Sequence, residues 1–308
     1  MLSTLKRSLK PLLLKTYNSR NNKFSKDFIN SNRERIEERN QLITSLPGEK
    51  ILVLAPHVDD DMIGCGGAIL KYLKEGKEVH IAYLTQSNKR GSIGLQGEEI
   101  MIERKREAET VAKKIGLPLN HLHFLSASDS ELLTTDLTEE LGSMMSRLNP
   151  DVVFFPSIID THTDHYAVSK KLYELAKEQN GVLDHVYLMM YEVQNPISPV
   201  YSNRILDITE VYNEKVSLLH YYKSQQTRFY FLPIMNHLNG LVFGEGKKAE
   251  VYIETNIQDY LNFVEKHFGD NEYYFHLKPQ LIGHRDHRNT IPTYNNILES
   301  KKVLNELI

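Results

Sequence analysis

The sequence predicts an α/β fold, a mostly parallel sheet with helices on both faces. Two observations carry that expectation. Short apolar runs, such as Ile51-Leu52-Val53-Leu54 and Val152-Val153-Phe154-Phe155, alternate along the chain with amphipathic stretches of helical period. A turn rich in histidine and aspartate, Ala55 to Gly67, joins one such run to a glycine-rich helix start. In α/β proteins strand-to-helix turns gather at one edge of the sheet, where ligands bind. The 308 residues suffice for one large domain or two small ones.

Taken in order, residues 1–15 alternate basic and apolar side chains, residues 18–31 are polar and loop-like, and residues 32–46 have a helical period ending at Pro47-Gly48. Strands are expected over 50–55, 78–85, 121–125, 151–156 and 185–191. Helices are expected over 64–74, 100–115, 137–148 and 164–178, closed by Gly76, Gly116 and Asn149-Pro150 where such stops occur. Beyond them, 208–222 reads as a helix, 224–246 as a mixed aromatic segment and 249–254 as an edge strand. Residues 257–267 and 295–308 read as helices. The resulting division is an N-terminal helical extension (1–47), the α/β domain (48–252) and a C-terminal helical or irregular extension (253–308).

The formal charge of −3 argues against nucleic acid as a partner. Cys65 is the single cysteine, so neither a disulfide framework nor a thiolate metal site is available. That fits a reducing compartment, and a cytoplasmic location is expected. No run reaches the roughly 20 apolar residues of a membrane span. Residues 1–15 leave two readings open: weak peripheral contact with the inner membrane face, or a helix packed on the domain.

The chemistry concentrates in two places. His57, Asp59, Asp60 and Asp61 stand at the mouth of the first strand. Helix capping accounts for one aspartate, whereas carboxylates beside an imidazole suit a divalent ion such as zinc. Asp160-Thr161-His162-Thr163-Asp164-His165 follows the fourth strand. In a sheet of order 3-2-1-4-5, strands 1 and 4 flank the switch point, and the two motifs meet there. His57, Asp60 and His165 then form three protein ligands with room for water, the form of a catalytic zinc site.

His57-x-Asp59-Asp60 with Gly64-Cys65-Gly66-Gly67, followed by His162-x-Asp164-His165, resembles the LmbE-like (PIG-L) family of zinc-dependent N-deacetylases. Arg104-x-x-Glu107, Asp207-Ile208-Thr209, Lys215 and Tyr222-Lys223-Ser224-Gln225 are similar to later family segments. The resemblance implies a Rossmann-like fold and removal of an acetyl group from an N-acetylated amino sugar or its conjugate, of the N-acetylglucosamine type. It implies His57, Asp60 and His165 as ligands of Zn2+ or another divalent transition metal, and Asp59 as general base. His162 would stabilise the oxyanion or donate a proton, held protonated and aimed by Asp164. Arg104 and Asp129 are candidates for sugar hydroxyls, with ion pairing or helix capping as the alternative.

The chain departs from the family pattern at Val58 and Asp61, where Pro and Glu are common. It departs again at Ser87, in a loop that often reads Thr-x-Gly, and at Ser130, where Asp-Gly-x-Leu would lie. A divalent-metal phosphoesterase and a non-catalytic glycan-binding relative are the competing readings. The first calls for two metals about 3.5–4 Å apart and more ligands than the two motifs offer, the second for loss of a ligand or the base. His284-Arg285-Asp286-His287-Arg288 reads as a solvated turn or rim contact, and Gly64, Gly66 and Gly67 as sites of close helix-to-sheet packing rather than a dinucleotide loop.

Overall fold

The computed structural model describes residues 19–89, 93–225, 231–271 and 301–307. The expectations for residues 1–15, the 284–288 motif and the start of the last helix lie outside them. From Lys50 the chain alternates as expected: β2 (Lys50–Ala55), α3 (Asp60–Lys74), β3 (Glu78–Thr85), α4 (Glu98–Ile115), β4 (Leu122–Ala127), α5 (Thr138–Leu148), β5 (Val152–Pro156), α6 (Thr163–Glu178) and β6 (Tyr187–Tyr191). These strands are parallel and run across the sheet in the order β6-β5-β2-β3-β4. β2 therefore lies beside both β3 and β5, and the chain leaves it in one direction and β5 in the other. That is the switch point the two motifs require. β2 is buried from Ile51 to Ala55 and β5 throughout, so both faces of the central strands are covered.

The sheet is larger than the sequence suggests. Residues 19–31 are helical (α1), with Ile29 buried, not a loop. The helix expected over 32–46 covers only Arg33–Arg39 (α2) and gives way to strand β1 (Gln41–Ile43). β1 pairs in parallel with β7 (Arg204–Asp207), a strand the sequence reading missed. Each has only three or four residues, too few to show a period. α7 (Tyr212–Leu219) is shorter than the 208–222 helix expected, and α8 (Phe231–Gly240) occupies part of the mixed segment.

β8 (Ala249–Thr255) is not an edge strand. It runs antiparallel between β6 and β7, and five of its first five residues are buried, Glu250 included. A glutamate in a strand argues for an exposed face, and only a buried partner reverses that argument. α9 (Ile257–Phe268) follows, and Lys302–Glu306 form a short 3-10 turn. The sheet thus runs past both ends of the 48–252 segment. Among the described residues no helix is long and apolar enough to cross a membrane.

α3 sits close against the sheet because Gly64 and Gly67 lack side chains. A Cβ on Gly64 would lie 2.1 Å from the Tyr191 ring, and one on Gly67 2.5 Å from Ile208. Tyr191 is itself pinned, its hydroxyl donating to the Leu54 carbonyl at 2.9 Å. Gly64→Ala is expected to cost about 1–3 kcal/mol through overpacking, measured as a lower urea midpoint. An unchanged midpoint would mean that Tyr191 can yield.

Candidate metal centre

The centre is built on the turn after β2. Asp59 caps α3 with its backbone carbonyl, which accepts from Ile63 N at 2.9 Å, and it adopts φ 118°, a region L-residues seldom occupy. That bend puts Asp60 and Asp61 in the first helical turn, four residues earlier than the glycine-based start, where the helix dipole favours carboxylates. Asp60 Oδ2 turns back to accept the backbone N–H of His57 at 3.0 Å.

Two imidazoles converge on that oxygen. His57 Nδ1 lies 3.1 Å from it, and His165 Nε2, from the first turn of α6, lies 3.4 Å from it. Ligand atoms of His57, Asp60 and His165 all lie within 4.8 Å of one another, and Asp60 and His165 are buried. A second set, His57, His162 and Asp164, meets the same distance test. The outer carboxylates favour the first. His57 gives its other nitrogen, Nε2, to Asp164 Oδ2 at 3.0 Å, and His165 Nδ1 faces Asp160 Oδ2 across an ion-pair distance of 3.3 Å. Each imidazole therefore has one nitrogen on the centre and one facing a carboxylate, the arrangement typical of metal-ligating histidines. Two nitrogens and one oxygen suit zinc and similar divalent ions. Asp164 Oδ1 is buried with no hydrogen-bond partner among the described residues.

The proton affinities follow from this crowding. Burial alone would lower His57, but its bonds to Asp164 and Asp60 raise it to about 9. Burial likewise opposes charge on His165, and Asp60 and Asp160 overcome it to push its pKa up. Asp60 is held below the usual carboxylate range by those imidazoles despite burial. Asp59, buried and beside Asp60, is raised well above it, and burial lifts Asp61 to about 7. A divalent cation among these groups would invert the logic, displacing protons from the imidazoles and drawing the carboxylates down.

His162 lines the same cleft, and its position differs from the expectation. Its Nδ1 accepts the Asp164 backbone N–H at 3.2 Å, capping α6. The neutral ring must then carry its proton on Nε2. Burial, with His165 and His57 alongside, lowers its pKa to about 4. The Asp164 carboxylate does not hold His162 protonated, because it is committed to His57 and to the Ser130 N–H at 2.7 Å.

Arg104 and Asp129 face each other, 3.6 Å apart, in the wall of a cleft of about 200 Å3 that also contains His57, Asp59, Asp60, His162 and His165. Both are buried, so neither is a surface ion-pair partner. Arg104 is fixed by donating to the Ser87 carbonyl at 2.7 Å and to Gln225 Oε1 at 3.3 Å. Asp129 Oδ1 and Arg104 Nε have no hydrogen-bond partner among the described residues. Ser87 and Ser130, at the two positions where the resemblance calls for glycine, have φ 52° and 69°. The left-handed backbone is kept without the glycine, and the Ser87 hydroxyl accepts from Val58 N.

The sequence reading gave Asp160 no task. It accepts backbone N–H groups of His162 (3.0 Å), Gln194 (2.9 Å) and Asn195 (3.3 Å) while facing His165. Its signal was an acid five residues before a ligand histidine, at the end of a buried strand. Lys89 and Gln194, on the cleft wall, were also missed.

Comparison with known proteins bears on the same segment. Residues 52–176 match the family model described as PIG-L: GlcNAc-PI de-N-acetylase. A diacetylchitobiose deacetylase of Thermococcus kodakarensis is 30% identical over 122 residues, 38% of this chain and 45% of that protein. The match thus spans under half the length of that relative. The N,N'-diacetylchitobiose deacetylase of Pyrococcus horikoshii, solved with an inhibitor, shares the fold with a TM-score of 0.59. It is 24% identical, over 69% of this chain and 86% of that one. The conserved protein TT1542 of Thermus thermophilus gives 0.53 at 26% identity, over 66% and 93% of the two chains. The motif-bearing segment, residues 52–176, thus carries the likeness to the PIG-L (LmbE-like) family, and the fold around it is shared with these solved structures.

Proposed function

We propose that the chain is a metal-dependent N-deacetylase, with zinc as its ion, that hydrolyses the N-acetyl group of an amino sugar or sugar conjugate. The convergence of His57 Nδ1 and His165 Nε2 on Asp60 Oδ2, beside Asp59 and His162 in one cleft, carries this reading. The relatives named diacetylchitobiose deacetylase support an N-acetylglucosamine-type substrate.

An amide is a poor electrophile and water a poor nucleophile. An ion held by His57, Asp60 and His165 supplies Lewis acidity, which acidifies water and polarises a carbonyl. The chain's own residues do the rest. Asp59, on the cleft wall but outside the ligand set, accepts the proton of the attacking water. His162 offers its Nε2–H to the oxygen that gains charge as the carbonyl carbon becomes tetrahedral. A neutral donor serves there, and no protonated imidazole is required. The leaving amine takes up the proton that Asp59 received, and acetate and the free amino sugar separate. Asp129 Oδ1 and Arg104, with unused hydrogen-bonding capacity, bind sugar hydroxyls and set the N-acetyl group over the centre.

Three outcomes test this. Zinc added at about 100 times its Kd should stabilise the protein by about 2.7 kcal/mol, seen as a rise in Tm. His165→Ala should abolish that rise. Asp59→Ala should reduce acetate release from N-acetylglucosamine oligosaccharides by about two to four orders of magnitude while still taking up one equivalent of metal. Full activity in Asp59→Ala would overturn the mechanism. Asp129→Ala should raise KM more than it lowers kcat, and an unchanged KM would remove Asp129 from substrate binding.

A further inference from the structure

α3 is not one helix. At Cys65 the backbone leaves the helical region (φ −136°, ψ 23°), separating a first turn that carries Asp60 from the longer segment packed on the sheet. An unbroken helix would pair the Ile63 carbonyl with the Gly67 N–H and the Gly64 carbonyl with the Ala68 N–H. Here side chains from two distant elements meet the Ile63 carbonyl and the Gly67 and Ala68 N–H groups. Glu250, on β8, accepts Gly67 N at 2.7 Å through Oε1 and Ala68 N at 2.9 Å through Oε2. Lys215, on α7, donates to the Ile63 carbonyl at 2.9 Å. The two side chains pair with each other at 2.6 Å, and the Tyr252 hydroxyl donates to Glu250 Oε2. Lys215 is 0% exposed and Glu250 2%.

We propose that Lys215 and Glu250 are positioning residues for the metal centre. Together they cap both sides of the break at Cys65 and fix the angle at which the first turn of α3 presents Asp59 and Asp60. Glu250 acts as the N-terminal cap of the second helical segment, and Lys215 ends the first. Room for this clamp depends on the glycines: a Cβ on Gly67 would lie 2.8 Å from Glu250 Oε1, and one on Gly66 3.3 Å from Lys215 Cγ. Neither charged group lines the cleft with the cluster, so neither touches a substrate there. Their influence passes through the backbone of residues 60–64. The proposal rests on the deacetylase reading for what the centre does, but not for how the centre is held.

A neutral double variant separates positioning from mere stability. Lys215→Met with Glu250→Gln leaves no unpaired buried charge, so it should fold with a moderately lowered Tm, while the break loses the lysine cap on Ile63 and one of the two carboxylate acceptors. Zinc affinity, read by competition with a chelating dye without substrate, should fall about 10–100-fold. At saturating zinc, kcat should fall with KM unchanged. A double variant that binds zinc and turns over like the wild type overturns the proposal. Glu250→Gln alone is the second variant should the double one fail to fold. It should weaken zinc binding about tenfold, and wild-type affinity in it would overturn the proposal equally. Lys215→Arg, which keeps charge and donor, should recover most of the affinity. A wild-type protein that binds zinc but releases no acetate would defeat the deacetylase reading and leave this one standing.

Discussion

One carboxylate oxygen organises this molecule. Asp60 Oδ2 meets a backbone N–H of its own turn, an imidazole two strands' breadth from the sheet edge and a second imidazole from α6. Burying a carboxylate is costly unless opposite charge and hydrogen bonds surround it. Here the surroundings come from parts of the chain more than 100 residues apart in sequence, since His165 lies beyond β5 and Asp60 beyond β2. The requirement is topological before it is chemical. The ends of β2 and β5 must lie side by side and their connections must depart in opposite directions, and the β6-β5-β2-β3-β4 order provides that crevice.

The cleft also holds much of the backbone strain. Asp59, Ser87 and Ser130 are non-glycine residues with positive φ, and each touches or lines the site. Such conformations cost of order 1–3 kcal/mol each and persist only where neighbours over-determine them. The neighbours are identifiable. Ile63 N holds the Asp59 carbonyl, Val58 N holds the Ser87 hydroxyl, and the Ser130 N–H is held by Asp164, which itself steadies His57. The strain at Ser130 and the orientation of a proposed ligand are thus parts of one linkage, which explains why a serine can stand where glycine would be conformationally cheaper.

The central sheet was legible in the sequence because its strands are apolar on both faces and its helices are amphipathic, so each shows its own period. The strand order was assumed from the common doubly wound arrangement, and the observed order β6-β5-β2-β3-β4 matches it. What escaped notice depends on partners far along the chain. β1 and β7 are too short to show a period, and each is a strand only because the other pairs with it. β8 was expected at an edge, and nothing local discloses that Lys215 and two helical N–H groups await Glu250. In the site, residue types in order gave the His57, Asp60 and His165 cluster that the structure brings together. They did not give the direction of Asp164, because a residue two positions from His162 looks like its partner, while on a helix start the side chain points across the crevice to His57.

The buried Lys215–Glu250 pair is better understood through the backbone than as an ion pair. Taking two charges out of water commonly costs as much as their attraction returns, and well-packed apolar residues often serve stability equally well. Apolar residues could not, however, satisfy the Ile63 carbonyl or the Gly67 and Ala68 N–H groups that the break at Cys65 sets free, and each such group left unpaired in the interior costs about 1–3 kcal/mol. A continuous α3 would need no such pair, but it would carry its first turn along the axis of the segment packed on the sheet. The break redirects that turn, the charges make the break tolerable, and the glycines admit the charges. Each feature answers the cost of the one before it, back to the carboxylate that must reach two histidines across the switch point.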